Sequence, residues 1–311
     1  MKKGLPALVL GLFLASCSAP SPMPVDGGKL NVVATTSIVA DVVSQIGGDL
    51  IDVQILLPEG TDPHSFDPTP QDIAKVTDAD LVFANGAGLE DFIEDLLASA
   101  DAEERIIEVS EGIELLEHLE DEAEHNEEDH DHAEDKGGDP HTWTDPNNVI
   151  IWVKNIEAAL VAADPSNAEI YVENAAAYTS ELTEIDAWIR EQIEQVPPEN
   201  RKIVTDHRLL GYYVDEYGLE MAGAIIPGYS SLSEPSAQEL AKIEDIIDTL
   251  DVQAIFVGKT VNPNLAERIA EDTGVSLVYF YTGSLSSADG EAGSYLDYLR
   301  YNTNAFVNAL K

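Results

Sequence analysis

A stripe of apolar side chains in the middle of the sequence constrains the fold more than any other feature. Its members recur at spacings of three and four residues, the period of one helix face: Tyr171, Ala175, Tyr178, Leu182, Ile185, Ile189 and Ile193. The pattern predicts one helix from about Asn167 to Gln195, roughly 43 Å long at about 1.5 Å per residue. Pro197-Pro198 ends it. We therefore expect a rigid linking helix over residues 166–196 between two globular parts.

Short β-rich runs alternate with amphipathic stretches on both sides of this helix. The predicted strands cover residues 30–35, 53–57, 81–84, 202–205, 254–257 and 276–280. Capping signals open helices at Thr69-Pro70 and Ser236, and an amphipathic stretch from Tyr295 to Leu310 ends the chain. Because such alternation is typical of parallel sheets, we predict two similar α/β lobes, over residues 29–165 and 197–311.

The first 28 residues are predicted to be a targeting signal and a tether. Lys2 and Lys3 precede an apolar run that is too short for the roughly 20 residues that a membrane span needs. Leu14-Ala15-Ser16-Cys17 then resembles a bacterial lipobox. We predict a signal peptide over residues 1–17, with a lipid-modified Cys17 as the mature N-terminus, and a flexible tether over residues 18–28. The alternative is an ordinary signal peptide with an incidental cysteine.

The strong negative charge limits the partners of the chain. There are 59 acidic and 16 basic side chains, for a formal charge of −43. Such a surface repels nucleic acids and anionic lipid headgroups and attracts cations, although solubility or adaptation to salt would also explain it. Hydrophobic residues make up 44% of the sequence, which is enough for a substantial core.

Four of the seven histidines lie in an acidic segment over residues 117–135, where 11 of 19 residues are acidic. The composition predicts a mobile loop without a core. Two interpretations remain open, namely weak metal sites or an insertion without function. The histidines concerned are His118, His125, His130 and His132.

The other three histidines lie at or beyond the ends of predicted strands, where ligand sites of open α/β sheets are found. Their local sequences are Asp62-Pro63-His64, Asp139-Pro140-His141 and Thr205-Asp206-His207. Three imidazoles suit Zn²⁺ and leave one tetrahedral position for a carboxylate or water. A metal held by all three would bridge the lobes. The alternative is three unrelated histidines, each satisfied by local hydrogen bonds.

Several motifs together resemble one protein family, over about residues 30 to 311. They occur as Gly60–Phe66 with Thr69–Asp72, Asn85-Gly86 through Glu90, Asp139–Trp143 with Asp145-Pro146, Thr205–His207 with Gly211-Tyr212, Glu234–Ser236, and Tyr295 with Arg300–Asn302. This set resembles the zinc/manganese (ZnuA/TroA-like) solute-binding proteins of bacterial ABC importers. The resemblance implies a single metal site in the cleft between the lobes, with His64, His141 and His207 as ligands. It also implies an extracytoplasmic location and a membrane permease as partner.

The resemblance favours zinc over manganese, because histidine at the third ligand position and a long His-rich loop are typical of the zinc branch. Mn²⁺ remains the alternative. The chain departs from the family where a carboxylate ligand is common, since Tyr281-Thr282-Gly283-Ser284-Leu285 has glycine there. We therefore expect water as the fourth ligand, with Glu59 as the alternative. Restoring a carboxylate by Gly283→Asp is expected to tighten binding or shift the metal preference.

A zinc-dependent hydrolase is the competing function, because three histidines and an open position can activate water. The sequence has neither a His-Glu-x-x-His helix nor a Gly-x-Ser-x-Gly elbow, so we predict that it is not an enzyme. A secondary role as an adhesin or metal buffer stays open. We expect a monomer whose metal affinity falls below about pH 6, where free histidine becomes protonated.

Overall fold

A computed structural model of the protein describes residues 28–90, 92–117 and 138–311. Several predictions lie outside the described residues: the signal peptide with Cys17, the tether up to residue 27, and the acidic loop from residue 118, with His118, His125, His130 and His132. Within the described ranges, no helix combines the length and apolarity needed to cross a bilayer.

The N-terminal half forms a parallel four-stranded sheet in the order β2-β1-β3-β4. Its strands are β1 (Leu30–Ala34), β2 (Ile51–Ile55), β3 (Leu81–Ala84) and β4 (Ile106–Glu108). Its helices are α1 (Ser37–Gly47), α2 (Pro70–Thr77), α3 (Ile93–Ala100) and α4 (Pro146–Ala163). As the sequence predicts, α2 begins at Pro70 after the capping residue Thr69, and Asp72 forms a capping box with Thr69. In this order β2 and β3 lie on opposite sides of β1. The connections after β1 and β3 therefore run to opposite sides, and a crevice opens at the carboxyl ends of these two strands.

The C-terminal half repeats this arrangement in a second parallel sheet, ordered β6-β5-β7-β8. Its strands are β5 (Lys202–His207), β6 (Glu220–Ile226), β7 (Ala254–Gly258) and β8 (Ser276–Phe280). Its helices are α6 (Gly211–Tyr217), α7 (Ala237–Leu250), α8 (Asn264–Thr273) and α9 (Tyr295–Leu310). The two sheets therefore have the same strand order, and each presents a crevice at the carboxyl ends of its two central strands.

The linking helix is α5 (Ala168–Ile193), 26 residues long. All seven residues of the predicted apolar stripe are buried, and none is more than 3% exposed. The helix packs against α1 and α4 of the first lobe and against α6 and α9 of the second. Each large side chain of the stripe contributes roughly 1.5–3 kcal/mol by burial. The predicted fold class, two α/β lobes joined by one long helix, is confirmed.

One hydrophobic core extends through both lobes. A single cluster of buried side chains contains Val32 of β1, Tyr171 of α5, Phe256 of β7 and Leu310 of α9. Two smaller clusters cover the outer faces of the two sheets. The lobes are therefore continuous in their packing, and the cleft between them is confined to the edge where the strands end.

Some elements differ from those predicted. The second strand begins two residues earlier than expected, and the strands β4 and β6 and the 18-residue helix α4 were not predicted. The helix α4 has an N-cap, Asp145, followed by proline, and its buried residues recur at helical spacing, but apolar residues also lie off that face. The lobe boundaries at residues 165/166 and 196/197 stay predictions.

Candidate metal centre

His64 lies in a short 3₁₀ helix, Pro63–Ser65, in the loop that follows β2. The Asp62 side chain caps this turn, because its Oδ1 accepts a hydrogen bond from the His64 backbone N–H at 3.1 Å. The other carboxylate oxygen of Asp62 accepts a hydrogen bond from the Ser231 hydroxyl of the second lobe. The His64 turn is thus held by residues of both lobes.

His141 is buried, with 1% of its surface exposed, just before the short helix Thr142–Thr144. Asp139 holds it at two points, since its Oδ1 accepts hydrogen bonds from the backbone N–H at 2.9 Å and from Nδ1 at 2.7 Å. This places the imidazole proton on Nδ1 and leaves the lone pair of Nε2 free for a ligand. The edge of the Trp143 ring packs beside it, with ring centroids 5.2 Å apart.

His207 is the last residue of β5 and is 3% exposed. Asp206 holds it in the way that Asp139 holds His141: its Oδ1 accepts from the backbone N–H and from Nδ1 of His207, both at 2.6 Å. Its Oδ2 accepts the Gly258 backbone N–H from the neighbouring strand β7 at 2.5 Å. The second lobe therefore fixes the orientation of its own imidazole.

The three imidazoles meet at one point. One potential ligand atom from each of His64, His141 and His207 lies within 4.8 Å of the others. The Nε2 atoms of His64 and His141 are 3.1 Å apart, close to the separation of about 3.4 Å expected for two ligands at about 2.0–2.1 Å in a tetrahedral zinc site. Among the described residues, these histidines form the one group of three or more His, Cys, Asp or Glu close enough to share an ion. The structure thus brings together the three histidines that the sequence analysis singled out.

The cavity between the three rings is small, about 10 Å³, and is also lined by Pro63, Trp143 and Gly283. This is roughly the space of one water molecule or ion. An organic substrate does not fit there, whereas a bare cation does.

The site keeps two of its imidazoles, those of His64 and His141, neutral. Burial lowers the pKa of His64 from 6.5 to about 3, and repulsion from His141 and His207 adds to the effect. Burial likewise lowers the pKa of His141 well below its ordinary value. Because a metal displaces a proton only from a protonated ring, these two rings bind at neutral pH without proton competition. Proton competition at His64 and His141 therefore begins at a lower pH than the value of about 6 expected from the sequence.

Pro63 occupies the space next to Gly283, the position at which the family commonly has a carboxylate ligand. A Cβ atom at Gly283 would lie 2.6 Å from Cδ and 2.7 Å from Cγ of the Pro63 ring, too close without a shift of the backbone. Glu59, the alternative donor, is exposed and does not belong to the histidine group. The structure thus argues against the expectation that Gly283→Asp simply adds a ligand.

Hydrogen bonds join the lobes around the cavity. The indole N–H of Trp143 donates to the Thr282 carbonyl at 3.2 Å. The Gly60 backbone N–H donates to Ser284 Oγ at 2.9 Å. These contacts hold the cleft narrow at the level of the histidines.

Sequence reasoning missed the roles of Asp139 and Asp206. Both were visible as Asp residues directly before or two positions before a histidine. However, that spacing does not show that one carboxylate oxygen receives both the backbone N–H and the ring N–H of its histidine. Their roles depend on local geometry.

The family described as zinc-uptake complex component A, periplasmic, matches residues 32–309. The manganese-binding lipoprotein MntA of Halalkalibacterium halodurans is 34% identical over 305 residues, covering 97% of this chain and 96% of that protein. The manganese ABC transporter substrate-binding lipoprotein PsaA of Streptococcus anginosus is 32% identical over 320 residues, covering 100% and 99%.

Solved structures agree with the fold. The periplasmic zinc-binding protein TroA of Treponema pallidum superposes with a TM-score of 0.80 at 26% identity, covering 91% of this chain and 99% of that one. The relatives are thus named for two different metals, and each of them matches at least 91% of this chain.

Proposed function

The chain belongs to the zinc-uptake complex component A family, and on this premise we propose that it captures Zn²⁺ outside the cytoplasm and delivers it to the permease of an ABC importer. His64, His141 and His207 are the proposed ligands. The observation that carries the proposal is the convergence of their three ligand atoms within 4.8 Å, on a cavity the size of one ion.

The donor set supports zinc. Imidazole nitrogen is a good ligand for Zn²⁺, whereas Mn²⁺ is better served by carboxylate and water oxygens. The histidine group contains no carboxylate, and the Pro63–Gly283 contact fills the place from which one was expected. In addition, affinities of a given nitrogen site rise from Mn²⁺ to Zn²⁺ along the divalent series. A water molecule as fourth ligand completes the proposed tetrahedron.

Manganese is the second candidate, supported by the names of MntA and PsaA, which match this chain over nearly its full length. A manganese site on these residues would need more than one solvent oxygen, because Mn²⁺ prefers six oxygen-rich ligands. The cavity of about 10 Å³ offers little room for them.

Catalysis is not part of the proposal. The prediction that the chain is not an enzyme is confirmed by its family and relatives, which are metal-binding transport components. We propose that the protein acts as a monomer, held to the membrane by a lipid on Cys17, as the lipoprotein names of its relatives support. The loop histidines are proposed as weak metal sites at most.

Two of the three proposed ligands, His141 and His207, are oriented for binding before the metal arrives. Asp139 and Asp206 hold the protons of their imidazoles on Nδ1, so that both Nε2 lone pairs face the cavity. His64 completes the site from the loop that follows β2. Release to the permease requires at least one of these ligands to move.

A competition titration with Zn²⁺ and Mn²⁺ against a coloured chelator tests the proposal. The variants His64→Ala, His141→Ala and His207→Ala are each expected to weaken zinc binding at least a hundredfold. The matched control His125→Ala, in the acidic loop, and deletion of residues 117–135 are expected to leave tight binding intact. Tighter binding of Mn²⁺ than of Zn²⁺ by the parent protein would refute the zinc assignment. Unchanged zinc affinity in the three variants would refute the site.

A further inference from the structure

A carboxylate that does not belong to the histidine group is buried in the first lobe. Glu90 is 4% exposed. Its Oε1 accepts hydrogen bonds from the Thr35 hydroxyl at 2.6 Å and from the Asn85 backbone N–H at 2.8 Å. Its Oε2 accepts the Gly86 backbone N–H at 3.1 Å. Burying a carboxylate is costly unless such donors surround it, so the loop after β3 is built around this side chain.

The backbone of that loop is strained. Three consecutive residues have positive φ: Gly86 at 73°, Ala87 at 55° and Gly88 at 79°. The left-handed conformation is unfavourable for alanine by roughly 1–2 kcal/mol. Gly86 also approaches Glu108 so closely that a Cβ would lie 2.7 Å from the Cβ of Glu108. Strain of this kind persists where the surroundings determine the conformation, and it is found at functional sites.

The loop reaches the metal centre through Asn85. The Asn85 side chain, fully buried, donates from Nδ2 to the Pro140 carbonyl at 3.0 Å and to the Gly86 carbonyl at 2.8 Å. Its Oδ1 has no hydrogen-bond partner. An unpaired buried oxygen costs about 1–3 kcal/mol, so the fold retains this amide for its donor bonds. The bond to Pro140 fixes the peptide immediately before His141.

We propose that Glu90 is a positioning residue for the metal site, acting through Asn85 and the Pro140 carbonyl on His141. The proposal rests on the function proposed above. Asp139 fixes the ring of His141 from one side, and the Glu90–Asn85 pair fixes its backbone from the other. Together they set where the Nε2 lone pair points.

A role of Glu90 in stability alone predicts a different effect of its substitution on metal binding. If Glu90 only stabilised the loop, its loss would lower the free energy of unfolding and leave the metal affinity of the folded protein unchanged. A positioning role predicts weaker binding and an altered coordination geometry in protein that is still folded. Metal affinity and spectroscopy therefore separate the two.

The experiment is a double-mutant cycle with Glu90→Gln, Asn85→Ala and both together, using Zn²⁺ competition and the visible absorption of bound Co²⁺. Each single variant is expected to lose about tenfold in zinc affinity, in the range known for groups that orient metal ligands, and to change the Co²⁺ spectrum. The double variant is expected to be no weaker than the weaker single one, because both act on one path. Glu111→Gln, at an exposed position, is the matched control and is expected to bind as the parent does.

The proposal is overturned if either folded single variant binds zinc within twofold of the parent, or if the two losses multiply in the double variant. If Glu90→Gln does not fold, Asn85→Ala and Asn85→Leu carry the test, since neither side chain can donate to Pro140. Failure of the proposed function is distinct from these outcomes, because the parent protein itself would then bind neither Zn²⁺ nor Co²⁺ tightly.

Discussion

The carboxylate of Asp206 offers the sharpest test of how this protein prepares its metal ligand. In Asp206→Asn one carboxylate oxygen is replaced by an NH₂ group, which can only donate hydrogen bonds. The aspartate, 3% exposed, serves His207 with one oxygen and Gly258 with the other. The single side-chain oxygen of asparagine can accept a hydrogen bond from His207 or from Gly258, but not from both.

Both orientations of the asparagine are unfavourable. If its oxygen faces His207, its NH₂ group meets the Gly258 N–H, and an unsatisfied buried donor costs about 1–3 kcal/mol of stability. If the NH₂ group faces His207, Nδ1 must become an acceptor. The ring proton then moves to Nε2 and removes the lone pair that binds metal. We expect zinc affinity to fall about 10- to 100-fold, which is about 1.4–2.7 kcal/mol.

Two measurements check this prediction. Denaturant unfolding of the metal-free protein gives the loss of stability, and a chelator competition titration gives the loss of zinc affinity. Asp248→Asn, an exposed position on α7 of the same lobe, is the control for the loss of one negative charge. If folded Asp206→Asn binds zinc within about twofold of the parent, the carboxylate does not orient His207. Equal losses in both variants would attribute the effect to overall charge.

Three further predictions concern pH, the Pro63 contact and salt. The pKa of His64 is about 3 in the folded protein and 6.5 ordinarily, so the unfolded chain binds more protons between these values. The metal-free protein should therefore lose stability as pH falls through that window, and less steeply in His64→Gln, as measured by unfolding at several pH values. Gly283→Asp and Gly283→Ala should both weaken zinc binding about tenfold, because either Cβ displaces Pro63. Tighter zinc binding by Gly283→Asp would instead show that the new carboxylate acts as a ligand. The charge of −43 should make the melting temperature of the metal-free protein rise between about 0.05 M and 1 M NaCl, by screening of self-repulsion, and a flat salt dependence would contradict this.

The sequence predicted the elements whose patterns are local. The α5 stripe has a strict helical period, and the capping boxes at Thr69 and Ser236 depend on residues three positions apart. In contrast, α4 has apolar residues outside its buried face as well as on it, and β4 has three partly buried or exposed residues that carry no alternation. Packing against α5 and the sheet, not intrinsic preference, establishes these elements.

The candidate site was predictable only in part for a related reason. The three histidines stood out because each lies at or beyond the end of a predicted strand, with an aspartate nearby. The family resemblance supplied their convergence, since no spacing along the chain measures a distance across the cleft. The Pro63–Gly283 contact and the Asn85–Pro140 hydrogen bond both join residues far apart in sequence. Reasoning from one chain could not have found them.

The single core that runs through both lobes has a consequence for the kinetics of metal exchange. A wide hinge motion would have to pull apart side chains packed from Val32 to Leu310, at a cost far above thermal energy. Breathing of short surface segments costs much less. Loading and unloading should therefore be paced by the loops that carry His64 and Gly283, whose amide hydrogens would exchange with solvent far sooner than those of α5.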